Sequence, residues 1–312
     1  MSLQNYRRGA VEAVAAGAAQ RARATDPVKA FIWVTLAMVL FAVLAAASRL
    51  LIEKGYDPLQ VVFLRNLAAF VLMLPLILWR GLALIRSNAI NLYGVRVIIS
   101  LVSMTSWFYA LSLIPLGEIT AIGFLSPLFG TLSAILFLGE KVRLRRWTAL
   151  IVGFIGAMII LRPGAGSLGL GQACALVSAI SGGLIAALLK QLANRDDPAK
   201  IVFITTAMMM PLSLIPALVV WRPVGLDALP LLSVVAVVGV AGHVALMQAF
   251  RVADASLIMT FEFSRLPVVV GLGFWLFGEL IDDWTWIGAA IIVASAAYIT
   301  HREAKVRREG RT

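Results

Sequence analysis

Charge is what this chain has little of. Only 14% of its 312 residues are charged, against about a quarter in a water-soluble globular chain. A single cysteine, Cys174, excludes a disulfide framework and a cysteine-type metal cluster, and two histidines, His243 and His301, cannot build a typical zinc site. No metal and no cofactor are therefore expected. There is no G-x-x-x-x-G-K-[ST] loop, so ATP is not the direct energy source in this chain. Paired carboxylates and nucleophile–base pairs are also missing, which argues against an intramembrane enzyme. Residues 1–29 hold no apolar core followed by a small-residue cleavage site, so they do not read as a secretory signal. They are Arg-rich and acid-poor, as organellar transit peptides are, and a basic cytoplasmic extension explains them equally well. A net charge of +11 would raise the question of nucleic acid in a soluble protein, but no aromatic–basic binding pattern accompanies it.

What the chain has in plenty is apolar sequence. Hydrophobic residues make up 61% of it, in blocks of about twenty rather than in stripes. Twenty residues at 1.5 Å each cross about 30 Å of hydrocarbon. The blocks predict ten spans, at roughly 30–51, 59–79, 91–113, 115–138, 147–161, 169–190, 199–221, 228–250, 253–277 and 284–300. With the N-terminus in the cytoplasm, 20 Lys and Arg fall on the inner side and three (Lys54, Arg162, Arg222) on the outer side. That asymmetry is the positive-inside signal, and it predicts both termini in the cytoplasm. It also accounts for the basic balance without an anionic partner.

The chain repeats itself. A shift of 139 residues lays Gly139-Glu140 on Gly278-Glu279, Trp147 on Trp286, Ala110 on Ala249, Ile119 on Ile258 and Phe124 on Phe263. Each repeat holds five spans, an odd number, so the second is predicted to be inverted relative to the first. Inverted repeats mark secondary transporters whose solute site lies near the midplane where the halves meet. The expected architecture is an all-α integral membrane protein of ten helices in two inverted five-helix repeats. Residues 30–162 and 163–300 form the repeats, flanked by basic cytoplasmic tails at 1–29 and 301–312.

The run Ala121-Ile122-Gly123-Phe124-Leu125-Ser126-Pro127-Leu128-Phe129, then Phe137-Leu138-Gly139-Glu140, Trp147 and Gly153-Phe154-Ile155-Gly156, resembles the EamA-type members of the drug/metabolite transporter superfamily. The second half departs from the pattern: Pro267 is displaced by one position from Pro127, and Ile292 and Ser295 replace the glycine pair. The resemblance implies a bundle around a central cavity lined mainly by helices 1, 3, 4, 6, 8 and 9. It implies alternating access driven by an ion gradient or by exchange, in a bacterial inner membrane. As a prior from the family it favours an exporter of amino acids or related metabolites. An uptake carrier for a vitamin or nucleoside-like cofactor, of the riboflavin or S-adenosylmethionine class, is the alternative. A small-molecule substrate and the lipid bilayer are the expected partners, and a homodimer is left open. A non-transporting scaffold or channel subunit has less need of the inverted symmetry.

Several residues are candidates for the chemistry. Glu262 and Arg265 lie three apart in the ninth span and so share one face. A charge at the bilayer centre costs about 2.5–3.5 kcal/mol, so such groups usually face a cavity or a partner. Glu262 is the candidate for a coupling proton or a cationic group, and Arg265 for a carboxylate; a structural ion pair is the plainer reading. Pro127 and Pro267 lack a backbone donor and free the carbonyls of Gly123 and Phe263, the ingredients of hinged or broken helices. His243 is a cavity donor, or a histidine tied to a neighbouring helix. Trp107 and Tyr109, with Phe108 between them, can stack on a planar solute or join the interfacial aromatic belt. Arg49, Arg65 and Arg96 are expected to snorkel, Glu118 to sit at a helix N-terminus, and Glu140 and Glu279 to cap or tie loops. Small residues, Ala45-Ala46-Ala47 among them, are expected to let helices approach closely.

Overall fold

In hydrocarbon a backbone must satisfy its own hydrogen bonds, so spans of this composition fold as helices or as a closed barrel. The computed structural model describes residues 27–80, 87, 89–138, 144–161, 169–193, 195–196, 198–252 and 265–309, and among these the regular elements are all α-helices. In chain order they are α1 (Pro27–Glu53), α2 (Pro58–Arg80), α3 (Ile90–Leu113), α4 (Leu116–Gly123), α5 (Ser126–Leu138) and α6 (Leu144–Leu161). The second half supplies α7 (Leu170–Ala193), α8 (Pro198–Val219), α9 (Leu229–Val252), α10 (Arg265–Phe277) and α11 (Asp283–Glu309). Within them, Val28–Glu53, Ile90–Leu113, Leu170–Leu189, Lys200–Val219 and Leu229–Ala249 are long and apolar enough to cross a membrane. Shorter apolar segments occupy Pro58–Leu74, Leu116–Gly130, Ile151–Ile160, Arg265–Phe277 and Asp283–Ser295.

The fourth predicted span is not one helix. α4 ends at Gly123, Phe124 and Leu125 form a turn, and α5 starts at Ser126. Pro127, the second residue of α5, has no N–H to return to the Gly123 carbonyl, and the first turn of a helix is where a missing donor costs least. The Phe124 N–H bonds back to Thr120 and Ala121 at 3.2 Å, and the Leu125 N–H to Ile122 at 3.0 Å, closing α4. Of the two outcomes expected at Pro127, a hinge or a break, the chain shows the break. α5 and α10 are each 13 residues long, and Pro267 lies in the first turn of α10 as Pro127 does in α5. Glu262, Phe263, Glu140 and the rest of the ninth predicted span before Arg265 lie outside the described residues.

The interior holds large apolar side chains such as Tyr93, Phe108 and Leu111 together with many small ones, and the outer surface is apolar as well. Ala30, Ala37, Ala42, Ala45, Ala46 and Ala47 of α1 are buried, as are Ser48 and Ser181. Large apolar groups such as Ile98, Leu136, Phe154, Ile215, Val237 and Trp275 face outward. Contiguous exposed apolar surface on this scale requires a non-aqueous neighbour. Small residues bring the helices together: a Cβ on Gly183 would lie 2.5 Å from the Gly130 nitrogen, and one on Gly288 would lie 2.6 Å from the Gly156 carbonyl oxygen. The closest helix pairs are α1 with α9, α3 with α7, α6 with α11, α5 with α7 and α2 with α8.

Candidate functional site

Arg65 does not snorkel. Its Nη1 donates to the Met104 thioether at 3.3 Å, across from α2 to α3, and among the described residues no carboxylate pairs with it. A thioether is a weak acceptor, so this guanidinium is under-satisfied. The side chain is partly accessible even though the surrounding protein strips away its water. Part of its surface is left accessible between α2 and α3.

His243 of α9 is accessible too, and it lies within electrostatic reach of Arg65. Its Nδ1 is 2.7 Å from the Gly239 carbonyl one turn earlier. A carbonyl only accepts, so Nδ1 carries a proton, and Nε2 is the ring position left to meet a solute. The Phe41 ring of α1 meets the imidazole edge-on, with centroids 5.0 Å apart. Beside Met104 and three residues along α3, Trp107 shares its face, with its ring edge-on to Phe108 at 5.2 Å. Arg65, Met104, Trp107, His243 and Phe41 thus bring α1, α2, α3 and α9 to one opening, where a guanidinium and an imidazole sit beside aromatic walls.

The other sequence candidates lie elsewhere or at its margin. Tyr109 is two residues from Trp107, on a different face, beside Asp57 at the start of α2. Gly123 ends α4 with open space where a Cβ would be. Arg265 is the first residue of α10, partly buried, and Glu262 and Phe263 lie outside the described residues. Arg65 itself was missed as a site residue because its distance from the span end suggested a route to the headgroups. The signal that could have found it is Asn66, an adjacent polar residue in the same apolar block, whose Nδ2 bonds Ser213 Oγ of α8 at 3.2 Å.

Two polar knots close the ends of the bundle. At one end, the Gln60 side chain donates to the Arg222 carbonyl at 2.6 Å and accepts the Arg222 N–H at 3.1 Å. Arg222 donates to the Lys54 carbonyl at 2.9 Å, and the Gly225 N–H donates to the Tyr56 hydroxyl at 3.0 Å. Lys54 also pairs with Asp227 at 3.2 Å. Nearby, Gly278 adopts a left-handed φ of +66°, the usual end for a helix, and it turns Glu279 toward α4. Glu279 accepts the Leu116 N–H at 2.8 Å and pairs with Arg49, which also donates to the Ile114 carbonyl at 3.2 Å. Glu279 thus caps and ties, as expected, and Arg49 is drawn into the protein by it instead of snorkelling. Glu118 stands in the first turn of α4 and accepts from Gln172 at 3.1 Å.

At the opposite end of α3 the knot is a single carboxylate. Asp196, between α7 and α8, accepts from Tyr93 at 3.0 Å and from Ser87, and pairs with Lys200 at 2.7 Å. Those donors, Lys200 first, hold its pKa below the ordinary carboxylate value. Arg96 donates to Thr205 of α8, so it too turns inward, against expectation.

Comparison with known proteins follows the same outline. The profile of the EamA-like transporter family matches residues 28–162 and again residues 169–301. A riboflavin transporter of Vibrio cholerae is 32% identical over 91% of this chain and 97% of its own length. An S-adenosylmethionine uptake transporter of Rickettsia bellii is 27% identical over 79% of this chain and 84% of its own. A pseudopaline exporter of Pseudomonas aeruginosa is 27% identical over 86% and 96%. One solved structure, described only as a "Crystal structure of protein", superposes with a TM-score of 0.52 at 18% identity, covering 87% of this chain and 98% of that one. It shares the fold.

Proposed function

This chain belongs to the EamA-like transporter family, and from that premise we propose that it is a secondary transporter importing a flavin-like vitamin across the bacterial inner membrane. That it is a membrane transporter follows from the family; the substrate, the direction and the membrane are our reading. The observation that carries the substrate is the opening in which Arg65 and His243 sit beside Phe41 and Trp107. A planar ring with polar edges fits aromatic walls and inward donors. The riboflavin transporters of Vibrio cholerae and of Rhizobium johnstonii, at 32% and 29% identity, favour the same class. A sulfonium cation fits less well. A unit charge 4 Å from the guanidinium would be opposed by about 4 kcal/mol at an effective dielectric near 20.

The mechanism is alternating access between two inverted five-helix repeats, with both termini cytoplasmic. Three observations support the repeat. Exchanging first-half helices for their second-half counterparts turns the α1–α9 contact into the α7–α3 contact and the α5–α7 contact into the α10–α1 contact, and all four are present. α5 and α10 begin 139 residues apart, at the offset of the sequence repeat. The Gln60–Arg222 knot joins the loops before α2 and before α9, and the Asp196 knot joins those before α8 and before α3, its counterparts. Each knot is a gate, and one must open while the other holds. The break between α4 and α5 offers unpaired backbone to a solute at the midplane.

Proteoliposome flux tests this. Labelled riboflavin should accumulate inside vesicles bearing the purified protein and be displaced by unlabelled riboflavin but not by S-adenosylmethionine. No flux above empty vesicles would remove the flavin reading. A second reading, export of amino acids or related metabolites, is favoured by the resemblance to the pseudopaline exporter. Flux that appears only when substrate is loaded on the cytoplasmic side would select it.

A further inference from the structure

We propose that Arg65 is the specificity-determining residue of the opening, recognising an electron-rich acceptor edge on a planar solute, a carboxylate or a conjugated carbonyl, and excluding planar cations. It rests on the transporter reading in one respect, that the opening between α1, α2, α3 and α9 is the path of the solute. The charge is fixed, because a guanidinium stays protonated at any physiological pH. Its protein partner is inadequate: one thioether at 3.3 Å serves a group with five N–H donors, and no carboxylate among the described residues neutralises it. An enclosed cation left in that state is costly unless a ligand completes it. Arg49, also drawn inward, differs in this respect, because Glu279 and Glu53 neutralise it, whereas Arg96 has a neutral hydroxyl, Thr205, and lies at the Tyr93 end, away from the aromatic walls. Arg65 is held in register by its neighbour Asn66, whose bond to Ser213 anchors α2 on α8. The walls supply the planarity requirement, with Trp107 on the Met104 face of α3 and Phe41 against His243. The ligand class that answers all three features is a flat ring with an acceptor-rich edge. The planar fork of arginine also suits a two-oxygen acceptor better than a lysine would.

The test is binding to the full-length purified protein of two indoles of similar size and opposite charge, indole-3-acetate and tryptamine, read by calorimetry and by thermal shift. The wild type should bind and be stabilised by indole-3-acetate and not by tryptamine. Arg65→Gln should weaken indole-3-acetate binding by about tenfold or more, the loss expected for a hydrogen bond to a charged group. Arg65→Lys should keep the sign of the preference with reduced affinity. Equal binding of the two indoles by the wild type, or a preference for tryptamine, overturns the proposal without any variant, so a failure of Arg65→Gln to fold does not shelter it. An Arg65→Gln protein that binds indole-3-acetate as the wild type does overturns it as well. The two readings fail separately. Absence of riboflavin flux with the indole preference intact removes the flavin and keeps Arg65, whereas riboflavin flux unchanged in Arg65→Gln removes Arg65 and keeps the transporter.

Discussion

The two ends of the bundle are closed by different chemistry. At the Tyr56 end, closure is distributed: Gln60 clasps the backbone of Arg222, Tyr56 receives the Gly225 N–H, and Glu279 ties α1, α4 and the loop after α10 through Arg49 and Leu116. Among the described residues, the Tyr93 end instead converges on one carboxylate, Asp196, shared by Tyr93, Ser87 and Lys200. A clasp on backbone atoms survives side-chain change on one partner, because Arg222 contributes peptide groups that any residue would carry. A clasp on one carboxylate does not. The two ends of the bundle are therefore unequally easy to break, and if they act as gates they need not be equally strong.

The largest effect is expected at Glu279, which belongs to the Tyr56 end. Glu279→Ala removes a nearly buried carboxylate, leaving the Arg49 guanidinium without its main partner and the Leu116 N–H at the start of α4 unsatisfied. Breaking a buried pair on one side costs about 3 kcal/mol or more, so the variant should melt well below the wild type in the same detergent. Asp196→Ala comes next. Three donors lose their acceptor, but at the edge of the molecule water can replace part of it, and about 2 kcal/mol is expected. It should also open the Tyr93 end. Gly123 has open space where a Cβ would go, so Gly123→Cys in a Cys174→Ser background provides a reporter thiol at the break between α4 and α5. Asp196→Ala should speed its reaction with an impermeant maleimide added at the Tyr93 end and slow it from the other. Unchanged rates from both sides would mean that the Asp196 knot is structural and not a gate.

Where the apolar helices lie was legible in the sequence, and for a simple reason: span length is set by the bilayer, not by tertiary contacts. The predicted ranges overlap the observed apolar helices throughout the described residues, as with 91–113 against Ile90–Leu113 and 228–250 against Leu229–Val252. Pro127 was read as weakening the fourth span, but whether a helix kinks or parts there depends on packing around Phe124 and Leu125, which hydropathy does not carry. The candidate site was less legible. His243 and Trp107 stand out in sequence as polar or aromatic groups within a span, and the structure gathers them with Arg65, whose distance from the helix end points to the headgroups. Arginine reaches about as far toward a neighbouring helix as toward the surface, so position along one helix cannot decide its direction. That decision sits in Met104 and His243, far away in sequence.

Smaller effects sharpen the contrast between the ends. Gln60→Ala should cost about 1–2 kcal/mol, since the Arg222 peptide loses both of its partners but lies where water can reach it. It should raise maleimide access to the same reporter from the Tyr56 end, the mirror image of Asp196→Ala. Acid separates the ends further. Asp196 has its pKa lowered in the folded protein, chiefly by Lys200. Its contribution is thus fully present above the unfolded carboxylate value of about 4 and is lost as pH falls through the folded value. Access at the Tyr93 end should therefore be flat from pH 8 down to about 5 and rise only in stronger acid. In Asp196→Asn that rise should disappear.

The weakest prediction concerns the one ion pair that looks like a lock and is not. Lys54 and Asp227 meet at 3.2 Å across the Tyr56 end, with side chains 41% and 68% exposed. Lys54 also lowers the Asp227 pKa, so the two charges do sense each other, but exposed pairs are screened by salt and are offset by the ordering of two free side chains. Asp227→Asn should leave the melting temperature, the salt dependence and the maleimide rates at both ends as they are in the wild type. The neighbouring Gln60 clasp is neutral and should also be indifferent to salt, whereas the Asp196 knot, charged but covered, should weaken slightly between low salt and 1 M. A Tyr56 end that opened in Asp227→Asn would mean that its closure is electrostatic after all, and the two ends would then differ in exposure alone and not in kind.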